Sequence, residues 1–126
     1  MIVVDASVVI EWLLRNPAAR RAFSPSETFH APYLVDVEVM QGLRRCCFTG
    51  GLAGSRGKEA IEDFLRLRLR RYPHKPLLNR VWELRGNLTC YDAIYVALAE
   101  SLGATLLTRD GKLASAPGHR ARVQLV

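Results

Sequence analysis

The sequence predicts an α/β fold with a mostly parallel central sheet flanked by helices. Two observations carry that expectation. Short apolar runs with β-branched residues, at 2–4, 105–108 and 123–126, alternate with segments whose apolar residues recur at helical spacing. The first run is also continuous rather than alternating, as a strand buried on both faces of a parallel sheet requires.

The elements follow in order. Residues 2–4 form the first strand. Residues 8–14 form a helix that Asn16-Pro17 stops. A short piece at 28–31 is the second strand. Pro32 suits the first turn of a helix that runs to Phe48 and ends at Gly50-Gly51. Val35, Val39, Leu43 and Cys46 share one face of it. Residues 50–57 read as a flexible loop, and 58–65 as a third helix with Ile61, Phe64 and Leu65 inward. Leu65-Arg66-Leu67-Arg68-Leu69-Arg70 then alternates with period two, the signature of an extended or edge strand. Pro73 and Pro76 bracket a turn, 77–85 make a short helix, and Gly86-Asn87 stops it. Residues 89–102 form the best-defined helix, closed by Gly103.

At 126 residues the chain makes a single domain, 1–126, able to bury a core without disulfides. Lys plus Arg number 18 against 12 Asp plus Glu, a formal +6. That excess favours a polyanionic partner, nucleic acid before membrane. Cys46, Cys47 and Cys90 form neither a disulfide framework nor, with His30, His74 and His119, a zinc spacing. They read as reduced thiols in a cytoplasmic protein. Asp5, Glu11 and Arg15 interrupt the only N-terminal apolar stretch, which argues against a membrane span or signal peptide.

Four acids stand out in this basic chain. Asp5 ends the first strand, Glu38 lies at the border of the Val35–Val39–Leu43 stripe, Asp92 opens the long helix and Asp110 follows the 105–108 strand. In alternating strand–helix folds, ligands bind beyond the carboxyl ends of the strands. Each acid has an innocent explanation: Asp5 as a helix cap, Asp92 in a capping box with Thr89, Asp110-Gly111 as a turn, Glu38 as a solvated helical side chain. Together they make a set of hard oxygen donors of the kind a divalent ion uses, and without an ion they repel one another. A phosphatase resembling the haloacid dehalogenases would want an acid at position 7, which is Ser7. A receiver domain would want an acidic pair that is missing. A non-catalytic RNA-binding or assembly module would have no need of all four acids.

The segments Asp5-Ala6-Ser7, the Glu38 helix, Tyr91-Asp92-Ala93-Ile94-Tyr95-Val96-Ala97-Leu98-Ala99-Glu100 and Leu107-Thr108-Arg109-Asp110 resemble PIN-domain proteins, and the order and length resemble the VapC-type toxins of bacterial toxin–antitoxin modules. The resemblance spans essentially the whole chain. It implies a Mg²⁺- or Mn²⁺-dependent endoribonuclease, usually a homodimer, neutralised by a cognate antitoxin. Carried over by position, Asp5, Glu38, Asp92 and Asp110 are its acidic site, with Asp5 and Asp92 as direct ligands and Ser7 and Thr108 as supporting hydroxyls. Gln41 stands where similar sequences often carry Asn, and Gly111-Lys112 where some carry a further acid for a second metal. Whether Glu38 or Asp110 takes the proton of the attacking water stays open.

The alternating arginines give one more expectation. In an extended segment, Leu65, Leu67 and Leu69 face the core while Arg66, Arg68 and Arg70, with Arg71 close behind, form a stripe that tracks RNA phosphates. The competing reading is a solvated edge strand whose charge discourages aggregation.

Overall fold

The computed structural model describes all 126 residues. Five strands, β1 (Ile2–Val4), β2 (Phe29–Pro32), β3 (Arg70–Tyr72), β4 (Thr105–Thr108) and β5 (Val123–Leu125), form one sheet in the order β3-β2-β1-β4-β5. Every pairing is parallel. The α/β expectation holds, and the sheet is parallel throughout. All five strands therefore end at the same edge.

β1 lies at the centre, with Ile2 opposite Phe29 on one side and Thr105 on the other. Val3 and Val4 have no exposed surface, as an unbroken β-branched run in a central strand requires. The helices are α1 (Ala6–Leu13), α2 (Pro17–Ala22), α3 (Leu34–Thr49), α4 (Gly54–Arg66), α5 (Leu78–Glu83), α6 (Cys90–Leu102) and α7 (Gly111–Ser115). α6 packs across β1, β2 and β4, and α1 packs on α3. Residues Ala93 to Ala99 of α6 are buried without a break, so this helix is core on nearly every side. The Thr89 side chain caps it and Gly103 ends it in the left-handed region at φ 62°. No helix is long and apolar enough to cross a membrane.

Several expectations need correction. Pro32 closes β2 instead of opening α3; its position at a strand end spares the sheet the donor it lacks. α4 begins at Gly54, so the loop after Gly50-Gly51 is shorter than expected. Leu65 is 76 % exposed instead of facing inward. Gly57, Ala60 and Phe64 form the buried face of α4, and Leu65 falls off it. The helix continues to Arg66, and the edge strand starts only at Arg70. Helices α2 and α7 were not expected. Asn16 stops α1 as read, but its side chain also accepts from the backbone N–H groups of Ala18 and Ala19 and so starts α2.

One ion-pair network locks the far side of the molecule. The nearly buried Glu100 carboxylate on α6 accepts from Arg80 Nε at 2.8 Å and Nη2 at 3.0 Å, joining α5 to α6. The backbone N–H of Arg120 donates to the same carboxylate at 2.9 Å and fastens the segment leading to β5.

Candidate active site

The four acids meet at the carboxyl edge of the sheet. Asp5 follows β1 directly, and Asp110 stands two residues beyond β4. Glu38 is in the second turn of α3, the helix that follows β2. α6 leads straight into β4, so it runs back along the sheet and places Asp92, in its first turn, at that same edge.

Asp5 is the best-defined member. It occupies the N-cap position of α1, yet its side chain makes no capping bond, so the innocent explanation fails here. Instead Oδ2 accepts from Thr108 Oγ1 at 2.8 Å and Ser7 Oγ at 2.9 Å. Each hydroxyl also accepts a backbone N–H: Asp110 to Thr108 at 3.0 Å, Arg109 to Ser7 at 3.2 Å. Because each hydroxyl accepts from the β4–α7 turn, its own hydrogen is committed to Asp5. The two hydroxyls thus knit the end of β1 to that turn and leave Oδ1 free of side-chain donors. Ser7 and Thr108 are the two hydroxyls that the resemblance named as supports, and both contact Asp5.

Glu38 Oε1 accepts from the Tyr95 hydroxyl at 2.7 Å. Tyr95 is completely buried, three residues along α6 from Asp92, so one helix supplies an acid and the anchor of another. Its role escaped sequence reasoning; the available signal was a phenol set inside the unbroken run Ala93-Ile94-Tyr95-Val96-Ala97-Leu98-Ala99. His74 is a second omission. It lies in the turn that Pro73 and Pro76 bracket, and its Nε2 accepts the Leu34 N–H at 2.8 Å and so fixes the start of the helix that carries Glu38. Arg71 reinforces that joint by donating to Asp36 at 2.7 Å.

Asp92 and Asp110 keep part of their innocent explanations. Thr89 Oγ1 accepts the Asp92 N–H at 3.2 Å, and Asp110 Oδ1 accepts the Lys112 N–H at 2.9 Å as the cap of α7. Neither bond uses up its carboxylate.

Electrostatics binds the set together. Burial pushes the Asp5 carboxyl above its ordinary value, opposed by the Thr108 and Ser7 hydroxyls and a backbone N–H, and the Asp110 charge pushes it further. Burial raises Glu38, the Tyr95 bond opposes this, and the charges of Asp5 and Asp92 add to the rise. Asp92 is raised by burial, then by Asp5 and Asp110. The acids are thus close enough to feel one another. No three of them close on a common point as a metal cage would. The donor chemistry nevertheless fits a hard divalent ion such as Mg²⁺, which needs only one or two carboxylates and keeps several waters.

The PIN-domain profile matches residues 2–118. The chain belongs to the PIN-domain family. Ribonuclease VapC9 of Mycobacterium tuberculosis is 45% identical over 113 residues, 90% of this PIN domain and 88% of that protein. Ribonuclease VapC12 of the same organism is 43% identical over 130 residues, 100% and 99% of the two chains. Among solved structures, a toxin–antitoxin complex from Klebsiella pneumoniae superposes with a TM-score of 0.72 at 18% identity, covering 91% of each chain. VapBC2 from Rickettsia felis, bound to a DNA fragment from its promoter, gives 0.71 at 16% identity over 99% and 98%. At that identity the likeness of this PIN domain to them is one of fold.

Proposed function

We propose that this PIN domain is a Mg²⁺- or Mn²⁺-dependent endoribonuclease toxin, neutralised by a cognate antitoxin. The observation that carries the reading is Asp5, a nearly buried carboxylate that caps nothing and is aimed by two committed hydroxyls into a set of three further acids. The ribonuclease names of relatives 43–45% identical over most of the chain support the substrate. Asp5 and Asp92 would hold the metal, with Asp110 beside them. When bound, the ion supplies a water of lowered pKa and positive charge against the phosphate. Glu38, fixed by Tyr95 and raised in pKa, takes the proton from the attacking water.

The exposed apolar side chains Val37, Met40 and Phe48 of α3, with Leu78 and Trp82 of α5, support a homodimer and an antitoxin contact, because each offers uncovered apolar area. Sedimentation alone and with the genomically adjacent protein measures both.

The experiment is to incubate wild type and Asp5→Asn with total RNA, with and without a chelator, and to map new 5′ ends. Discrete ends are expected from the wild type with Mg²⁺, and none from the variant or under chelation. Full cleavage by Asp5→Asn sinks the acidic-site assignment.

A further inference from the structure

We propose that an arginine-lined groove at the amino edge of the sheet, opposite the acids, is a second RNA-binding site that grips the phosphate backbone away from the cut. Two adjoining depressions of about 380 and 930 Å³ share Trp12, Leu67 and Arg68. Arg15, Arg20, Arg66, Arg68 and Arg70 line them, against only two carboxylates, Asp63 and Glu27. Their position follows from the topology. α1 starts beside Asp5 and runs back along the sheet, so Trp12 near its end lies at the opposite edge, where Met1, Phe29 and Arg70 begin or precede their strands. Met1 lines the groove, and the four residues from it to Asp5 span roughly 13 Å of extended chain.

Most of these guanidiniums have spare donors. Arg68 is exposed and takes part in no ion pair of the fold. Arg70 only lies 5.4 Å over the Tyr72 ring, and Arg66 reaches Asp63 no closer than 3.9 Å. Arg20 is held in place: it stacks 4.0 Å over Trp12 and donates Nε to the Trp12 carbonyl at 2.9 Å. That leaves its two terminal amino groups for a ligand, with little side-chain freedom to lose on binding. Only Arg15 is in a close ion pair, its Nη2 donating to Glu59 at 2.7 Å. Clustered, weakly paired arginines in an open groove match the spaced charges of a phosphodiester chain.

The groove differs from the stripe expected from alternation. Arg71 is excluded, because it is turned to Asp36 and lies over Phe64. Arg20 joins from a distant part of the sequence.

The inference rests on the ribonuclease reading, and it is tested by binding in an Asp5→Asn background, where no cleavage intervenes. The probe is fluorescein-labelled oligouridylate titrated over a range of salt. Replacing Arg20, Arg68 and Arg70 by Ala should lower the slope of log affinity against log salt by about 2, at about 0.7 per phosphate contact. The triple Arg→Lys variant should keep the slope, and so should Arg71→Ala. An unchanged slope in the triple Ala variant overturns the proposal, as does an equal loss in Arg71→Ala. Loss of polyglutamate binding with RNA binding intact also overturns it, in favour of an acidic polypeptide. A protein that cuts RNA but shows an unchanged slope loses the groove alone. One that cuts nothing, yet binds through these arginines, loses only the nuclease assignment.

Discussion

Tyr95→Phe isolates one hydroxyl of the acidic site. The ring is fully buried and Phe preserves its shape, so packing changes little. What is lost is a 2.7 Å bond to the Glu38 carboxylate. A hydrogen bond to a charged group contributes about 1.5–3 kcal/mol; because Glu38 is half-buried and regains water, the expected cost is about 1.5–2 kcal/mol. With about 2.1 cal/mol/K of unfolding entropy per residue, 126 residues turn each kcal/mol into about 4 °C, so Tm should fall by about 6–8 °C. Thermal unfolding followed by circular dichroism measures it. The decisive comparison is the same change in a Glu38→Ala background. There the phenol is already buried without its partner, so removing the hydroxyl should be neutral or stabilising. An equal loss of Tm in both backgrounds refutes the coupling. Tyr95 is a positioning residue, so RNA cleavage by Tyr95→Phe should fall by about tenfold if some 1.4 kcal/mol of transition-state orientation is lost. Its acid limb should move to higher pH, since the lost bond was holding the Glu38 pKa down.

Asp92→Asn should abolish cleavage and raise the Tm of the metal-free protein at neutral pH. The raised carboxyls of Asp5, Glu38 and Asp92 make the folded state bind more protons than the unfolded one above the ordinary carboxylate range. Their contribution is therefore greatest in acid and is lost as pH climbs through the raised values, a slope that melting curves across pH should show weakened in the variant. Arg80→Ala should cost about 2–3 kcal/mol at neutral pH, or about 8–12 °C, because it leaves the nearly buried Glu100 with the Arg120 N–H and an exposed Arg120 guanidinium no closer than 3.8 Å. Arg80 holds Glu100 below its ordinary value, so that penalty should shrink as pH falls through the lowered value. An Arg80→Ala penalty independent of pH would count against the pairing.

The parts of the fold set by local chemistry were readable. An unbroken β-branched run marked β1, and Thr89 with Gly103 bracketed α6. The acids were legible because strand ends and helix starts have signals of their own. The Leu65–Arg70 alternation misled because it straddles a boundary. Leu65 and Arg66 still obey the helical period of α4, and only Arg70 onward pairs with β2. Helix α2 has the sequence Pro-Ala-Ala-Arg-Arg-Ala, too short for a periodic apolar face, so only Asn16 announced it. The partners of Tyr95 and His74 lie 57 and 40 residues away, and no local pattern points to a contact of that range.

The bond from Thr108 to Asp5 spans 103 positions. β1 is synthesised about 100 residues before one of its two neighbours, β4. Until that strand is made and docked, Asp5 lacks its Thr108 donor and the fourth acid does not exist. At about 5–20 residues per second, roughly 5–20 seconds of synthesis separate the two halves of the site. A chain interrupted before β4 thus lacks both Asp110 and the Thr108 donor to Asp5, and the acidic set is complete only once that strand is in place. The sheet order itself is a delay built into manufacture.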